Sequence, residues 1–370
     1  MYWTPKMHKD PVGFRFIIAS KECSTKLLSK NVSKVFKLIY NQIENFHDKS
    51  TFYSNYKQFW VVQNSFPVVE KMNKINQKNA ARSISTFDFS TLYTKIDHKN
   101  LIDVLNSLID FVFRAGSKKY IDFSKSKAFW TNFKNKDHNF FTKASLKSVV
   151  KHLITESFFC VGNYTLIQTI GIPMGIDPAP FWANLYLYKY EKDFMKGLIS
   201  KDKPRALRYH GAARFIDDQC CLNDSGDFGR SFKSIYPKEL ELKIEHQGEH
   251  ATFLDLDITI SEGKFVYKLF DKRDAFPFFI VRMPHLDSNI PPHIYYGSVL
   301  SEFLRIARCT MLYMDFLPRA KQLFDRMLSQ GGEKSRLLFQ LKKAMSAHPM
   351  AFANYQKAFK DIEIDLQTFV

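Results

Sequence analysis

Two acidic positions have neighbours that a surface carboxylate does not need. Asp88 lies in Ser83-Ile84-Ser85-Thr86-Phe87-Asp88-Phe89-Ser90, an alternating run with phenylalanine on either side of the acid. A carboxylate on a strand with a buried face is costly unless it is paired or serves a cation. Asp217-Asp218 lies between the apolar runs Arg214-Phe215-Ile216 and Gln219-Cys220-Cys221-Leu222. Alone, that doublet reads as turn chemistry, because Asp favours turns. Taken together, a strand carboxylate, a helix, and then a hairpin presenting two more acids is a way to hold two Mg²⁺ ions on rigid elements. One ion would lower the pKa of an attacking hydroxyl, and the other would steady a leaving pyrophosphate. Between the two acidic positions runs Gly171-Ile172-Pro173-Met174-Gly175-Ile176-Asp177-Pro178. Its glycines let backbone approach a ligand closely, and Pro178 can open a helix.

A competing motif is His246-Gln247-Gly248-Glu249-His250, which fits the His-x-x-Glu-His pattern of some zinc peptidases. That chemistry needs both histidines on one helix face. Gly248 and the alternating segments on either side read instead as a hairpin turn, and no third zinc ligand is evident. The peptidase alternative predicts activity lost on His246→Ala and no metal at Asp217. Cys220-Cys221 alternates across a strand and reads as core, since adjacent cysteines seldom bridge.

The elements that must position these residues follow from periodicity. Val32, Val35, Phe36, Ile39, Tyr40 and Ile43 have helical spacing. Residues 83–90 read as a strand with one buried face. Leu101 to Val112 reads as an amphipathic helix stopped near Gly116, and Leu146 to Phe158 as another. Phe159–Ile170 resembles a hairpin turning at Gly162-Asn163. Residues 180–199 read as a long aromatic helix, and 214–222 as two short strands around an Asp-Asp turn. Residues 239–245 and 252–260 alternate, residues 265–269 form a further strand, and the pattern is helical from about residue 293. The order gives an α+β fold with helical appendages.

Composition narrows the function classes. The 370 residues suffice for one to three domains and a real core, and 45% apolar content argues against disorder. No apolar run approaches the ~20 residues that span a bilayer. The five Cys contain no Cys-x-x-Cys pair, which argues against a disulfide framework and points to a reducing, intracellular setting. The net charge is +17, and it is uneven. Residues 1–83 carry +9, residues 115–151 carry +7 with nine Lys, and residues 152–370 carry only +2. Aromatics interleave with the charge at 52–60 and 129–134. That is the footprint of a polyanion partner, with a solvated surface as the plainer alternative.

Read in order, these pieces resemble a reverse transcriptase palm, and the nearest match is the Penelope-like family of eukaryotic retroelements. Thr86–Ile96 looks like that family's first palm motif. Gly171–Pro178 with Ala183-Asn184-Leu185 looks like its Gly-x-x-Met-Gly…Ala-Asn motif, and Arg214-Phe215-Ile216-Asp217-Asp218 like its Arg-Tyr-x-Asp-Asp motif. Phe253-Leu254-Asp255-Leu256 is similar to its Phe-Leu-Asp-Leu segment. Pro5-Lys6-Met7-His8-Lys9 and Arg15-Phe16-Ile17-Ile18-Ala19-Ser20 resemble its two fingers motifs.

The resemblance implies a right-hand polymerase. Fingers would span 1–83, and a ferredoxin-like palm 84–281 with a Lys-rich fingers insertion at 115–170. A helical thumb would span 282–370. The activity implied is RNA-directed DNA synthesis, with an RNA template, a DNA primer, dNTPs and two Mg²⁺ ions, for which Mn²⁺ could substitute. Asp88 and Asp217 would bind the metals, with Asp218 supporting. Tyr93 would be the steric gate against a ribonucleotide 2′-hydroxyl. Lys6 and Arg15 would neutralise the triphosphate, Gly175 would let backbone pass close to the template–nucleotide pair, and Lys243 would protonate pyrophosphate. Phe253–Asp257 would lie near the primer grip. A nuclear location follows from the same resemblance. Departures are Phe215 for the motif Tyr, Pro173 for a small residue and Phe16 for Pro. The chain starts almost at the first fingers motif, so an N-terminal region is expected to be missing, and no Gly-Ile-Tyr nuclease segment appears. A non-catalytic nucleic-acid-binding remnant is the second hypothesis.

Overall fold

The computed structural model describes residues 2–6, 12–18, 20–124, 126–134, 138–278 and 280–368. For Lys6, Arg15, Phe16 and residues 364–368 it describes the backbone alone. Two compact units result: Met1–Gln63 with Ser85–Glu245, and Asn64–Ile84 with His246–Val370. The segment 84–281, expected as one palm, is shared between them.

The first unit opens with an antiparallel hairpin, β1 (Tyr2–Lys6) and β2 (Gly13–Ile17). The helix Lys26–Ser54 follows, and its apolar stripe from Val32 to Ile43 is buried, as the spacing requires. Next comes β3 (Ile84–Phe89), in which every residue is buried except Asp88, which is half-buried. The expectation of a single buried face is corrected, because β3 is a central strand covered on both sides. Phe87 and Phe89 project to one face, where their rings meet Phe228 and Phe232 at 5.0 and 5.6 Å. Asp88 shares the opposite face with Ile84 and Thr86.

The helix His98–Gly116 is capped by Asp97, whose side chain accepts the Asn100 amide at 2.9 Å. The Lys-rich block then folds as a three-stranded antiparallel sheet of β4 (Tyr120–Phe123), β5 (Ala128–Thr131) and β6 (Asn139–Thr142), with β4 central. The helix Lys143–Thr155 follows it. β7 (Phe158–Val161) and β8 (Tyr164–Ile167) pair as the expected hairpin. The helix Ala179–Lys201 starts at Pro178 and buries Trp182, Leu185, Tyr186, Leu187, Tyr188 and Met195, so it runs through the core rather than along its surface.

β9 (Ala212–Phe215), β10 (Asp218–Leu222), the helix Asp227–Ile235 and β11 (Leu242–Gly248) complete the main sheet, in the order β11-β3-β10-β9. Numbered within this sheet, that order is fourth, first, third, second. Helices intervene after the first and third strands, which is the split βαββαβ arrangement. The Asp-Asp turn needs adjustment: Ile216-Asp217 makes the turn, and Asp218 already pairs with Phe215 in β10.

In the second unit, β12 (His250–Phe253), β13 (Leu256–Ser261) and β14 (Lys264–Leu269) form an antiparallel meander. Residues 252–260, expected as one strand, are two, because Leu254 turns the chain with φ 54°. The helix Phe66–Asn76 lies on β14, where the Asn76 side chain bonds both the carbonyl and the amide of Phe265 at 2.8 and 2.7 Å. The tail forms helices Pro292–Arg308, Tyr313–Ser329, Lys334–Ala347 and Ala358–Thr368. Among the described residues no helix is long and apolar enough to cross a membrane.

Candidate active site

The sheet brings Asp88 and Asp217 to neighbouring positions. β3 lies beside β10, and the Phe89 amide donates to the Asp217 carbonyl at 3.0 Å. Asp88, Asp217 and Asp218 are all half-buried. Lys243, exposed on β11, stands on the strand at the other side of β3.

The chain leaving β3 is fastened to the segment that leads into β11. The Thr91 hydroxyl donates to the Glu239 carbonyl at 3.2 Å and accepts the Glu241 amide at 3.0 Å, and Lys95 pairs with Glu241. Half-buried Tyr93 follows, in the short helix Leu92–Lys95.

The Gly-rich element docks on this segment. The Ile172 amide donates to the Tyr93 carbonyl at 3.0 Å, and the Gly171 amide to the Ile96 carbonyl at 2.7 Å. His98 Nε2 meets the Gly171 carbonyl at 2.8 Å. Gly171 has φ 85°, and a β-carbon there would lie 2.3 Å from the Tyr93 carbonyl oxygen. Gly175, at φ 114°, makes its closest approach to the protein itself, since a β-carbon would lie 1.9 Å from the Ile18 carbonyl oxygen. Asp177, which the sequence did not single out, clamps the same element to the helix Lys26–Ser54. Its amide donates to Ser29 Oγ at 2.9 Å, while its carboxylate accepts from Ser29 Oγ at 2.8 Å and Lys26 Nζ at 2.9 Å. Burial works against that charge, but the bonds from Lys26 and Ser29 outweigh it and hold the carboxyl below its usual range.

Beneath the Asp217 turn lies a fully buried ion pair that sequence reasoning missed. Arg214 Nε bonds one oxygen of Glu191, and Nη2 meets the other at 3.2 Å. Nη1 reaches Asn184 Oδ1 at 3.0 Å and the Ile216 carbonyl at 2.9 Å, and Nη2 also meets the Asn184 carbonyl at 3.0 Å. The Tyr236 hydroxyl donates to Glu191 at 2.9 Å, and its own pKa is raised by burial and then by that carboxylate. Burial disfavours the guanidinium charge, yet Glu191 beside it keeps the Arg214 pKa above its ordinary value. Arg214 and Asn184 stood in the sequence motifs, but nothing there pointed to Glu191 as their partner.

Other expected residues fall elsewhere or out of view. Lys6 and Arg15 lie in the β1–β2 hairpin, where Lys6 faces Gly13 and Arg15 faces Thr4, but their side chains lie outside the described residues. Met7, His8, Lys9 and Ala19 of the fingers motifs lie outside as well. The His-x-x-Glu-His segment is not helical, but neither is it the expected hairpin turn: His246–Gly248 ends β11, Glu249 bends the chain and His250 opens β12, a strand of a different sheet. His250 Nε2 meets Asp257 at 2.6 Å and His246 Nε2 meets Thr252 Oγ1 at 3.2 Å, so both rings have partners other than a metal. Cys220 and Cys221 are buried free thiols. Asp255 accepts from Arg305 at 2.9 Å.

The donor chemistry of Asp88 on β3 and Asp217 in the turn before β10, hard carboxylate oxygens both, suits Mg²⁺. Among the described residues, no three His, Cys, Asp or Glu side chains gather into a preformed cage.

No protein-family model matches the chain, and neither does any curated protein. Solved structures resemble it. The telomerase of Candida albicans, in complex with the TWJ fragment of telomeric RNA, aligns with a TM-score of 0.50 at 12% identity, over 91% of this chain and 58% of that one. A Candida tropicalis telomerase with the same kind of RNA fragment aligns at 0.49 and 14%, over 92% and 53%. A complex described as an RdRp aligns at 0.45 and 13%, over 81% and 24%. The chain spans little more than half the length of the Candida albicans telomerase, and at such identity the likeness is one of fold. The chain therefore shares its fold with the Candida albicans telomerase structure.

Proposed function

We propose that the chain is an RNA-directed DNA polymerase of the Penelope-like retroelement kind, extending a primer 3′-hydroxyl with dNTPs on an RNA template. The observation that carries this reading is the pairing of the Asp88 strand with the Asp217 hairpin in a split βαββαβ sheet, joined by the Phe89–Asp217 backbone bond. The fold shared with a telomerase that binds a fragment of telomeric RNA supports RNA as a partner. In this reading residues 1–83 serve as fingers, the main sheet as palm and the helical tail as thumb.

Asp88 and Asp217 would hold Mg²⁺, or Mn²⁺ in its place, with Asp218 supporting. The bound ions would supply charge neutralisation and a lowered hydroxyl pKa. The primer oxygen attacks the α-phosphate and pyrophosphate leaves, with Lys243 offering the leaving group a proton. Lys6 and Arg15 bind the triphosphate, which suits the arginine fork. Tyr93 excludes the ribonucleotide 2′-hydroxyl. Gly175 shapes the backbone beside the template–nucleotide pair.

The test is extension of a DNA primer annealed to RNA, with dNTPs and Mg²⁺ or Mn²⁺. Extension that Asp88→Asn abolishes supports the reading. Template–primer binding without extension under either metal would replace it with the non-catalytic remnant.

A further inference from the structure

We propose that Glu191 is a positioning residue for the Asp217 site, acting through Arg214 on the peptide that turns the chain from β9 into Asp217. This inference rests on the polymerase reading above.

Glu191 stands on the helix Ala179–Lys201 and Arg214 on β9, and neither has any solvent exposure. A buried ion pair is a poor route to stability, because desolvating two charges offsets much of their attraction. Apolar side chains of similar volume would fill the space as well. They could not hold a carbonyl. Arginine carries five N–H donors in one rigid plane. Here they are shared among the Glu191 carboxylate, both oxygens of Asn184 and the carbonyl of Ile216. The two-point contact with Glu191 fixes the rotation of the guanidinium, and the Tyr236 hydroxyl fixes Glu191. The one donor aimed at the turn is then held 2.9 Å from the Ile216 oxygen.

Ile216 is the residue that needs holding. Its φ is 54°, a left-handed conformation that a β-branched side chain adopts only when its surroundings impose it. The residue after it is Asp217. Releasing the Ile216 carbonyl lets the turn relax, and the direction of the Asp217 carboxylate changes with it. A lysine at 214 would keep the charge but lose the fork that spans Glu191 and Ile216 together.

The full chain is assayed for primer extension, with dNTP and Mg²⁺ varied separately. Affinity for Mn²⁺ alone, affinity for template–primer and melting temperature are recorded alongside. Extension by the wild type, lost in Asp217→Asn, establishes the site. Glu191→Gln and Arg214→Lys are each expected to lower kcat roughly 10- to 100-fold, as small misplacements of reacting groups do. Both should weaken Mn²⁺ binding while leaving template–primer affinity unchanged. Ile216→Gly takes the left-handed turn without strain, so added to Glu191→Gln it should recover much of the lost kcat. A purely structural role predicts lower melting temperatures, unchanged kcat per folded molecule and no recovery with Ile216→Gly, and that result overturns the proposal. Wild-type kcat and Mn²⁺ affinity in folded Glu191→Gln and Arg214→Lys also overturn it, while the polymerase reading stands. If Glu191→Gln does not fold, Glu191→Asp, shorter by one methylene, carries the same comparison. A wild type that never extends overturns the reading and this inference together.

Discussion

The carbonyl of Tyr93 accepts the amide of Ile172 at 3.0 Å, with Gly171 packed so closely that a β-carbon there would lie 2.3 Å from the same oxygen. Two segments far apart in the chain are thus joined backbone to backbone. The chain following Asp88 is held by the Gly-rich element, so the placement of Tyr93 depends on both.

That relationship bears on sugar selection. If the Tyr93 ring excludes the 2′-hydroxyl, Tyr93→Ala is expected to raise ribonucleotide incorporation roughly tenfold or more relative to dNTPs. Gly171→Ala should shift the same ratio by moving the Tyr93 backbone. Single-nucleotide insertion with matched rNTP and dNTP measures it, and an unchanged ratio in Tyr93→Ala refutes the gate assignment.

Two glycines should respond oppositely to alanine. Gly175→Ala puts a β-carbon against the Ile18 carbonyl at a positive φ, and should destabilise the protein by about 2 kcal/mol or more. Gly197 lies inside the helix Ala179–Lys201, where an added β-carbon meets nothing within 4 Å. Gly197→Ala should therefore stabilise by about 0.5–1 kcal/mol. Urea unfolding compares the two, and equal effects would contradict the local geometry.

His47 gives a pH dependence with a definite sign. It is buried, with Nε2 2.6 Å from the Tyr188 hydroxyl, and burial followed by the nearby Lys192 charge lowers its pKa to about 4. The unfolded chain takes up this proton near pH 6.5 and the folded one only near 4, so the stabilising difference is whole above 6.5 and is lost as pH falls to about 4. The loss is on the order of 3 kcal/mol. Denaturation midpoints between pH 7 and 4 should fall more steeply for wild type than for His47→Gln, and parallel curves would dismiss the effect.

The lysine block makes a salt prediction. If residues 115–151 contact phosphates, the logarithm of template–primer affinity should fall linearly with the logarithm of salt concentration. Replacing Lys118, Lys119, Lys127 and Lys134 by Gln should lessen that slope by roughly one for each phosphate left without its lysine. A slope unchanged by all four returns the block to a solvated surface.

The acid-bearing elements were legible because their signals are local. Alternation marked the Asp88 strand, and paired apolar runs marked the Asp217 hairpin. The three-stranded sheet at Tyr120–Thr142 was not legible, because each of its strands is only four residues long and Asp122 is buried between Ile121 and Phe123, so no period-two pattern is set up. The break at Leu254 was hidden because a leucine, not a glycine, takes the left-handed turn. Glu191 was hidden for a different reason. A glutamate in a long helix looks like a solvated face, and its partner Arg214 lies 23 residues away on a strand. Only the tertiary fold makes them a pair.

The central claim is that Asp88 and Asp217 together support nucleotide addition. It is tested most directly by extension of a DNA primer on an RNA template in Mg²⁺, comparing wild type with Asp217→Asn at matched melting temperature. Extension by the wild type is expected, with a loss of roughly a thousandfold or more in the variant, as when an electrostatic anchor of the transition state is removed. Extension of equal rate in both proteins would contradict it.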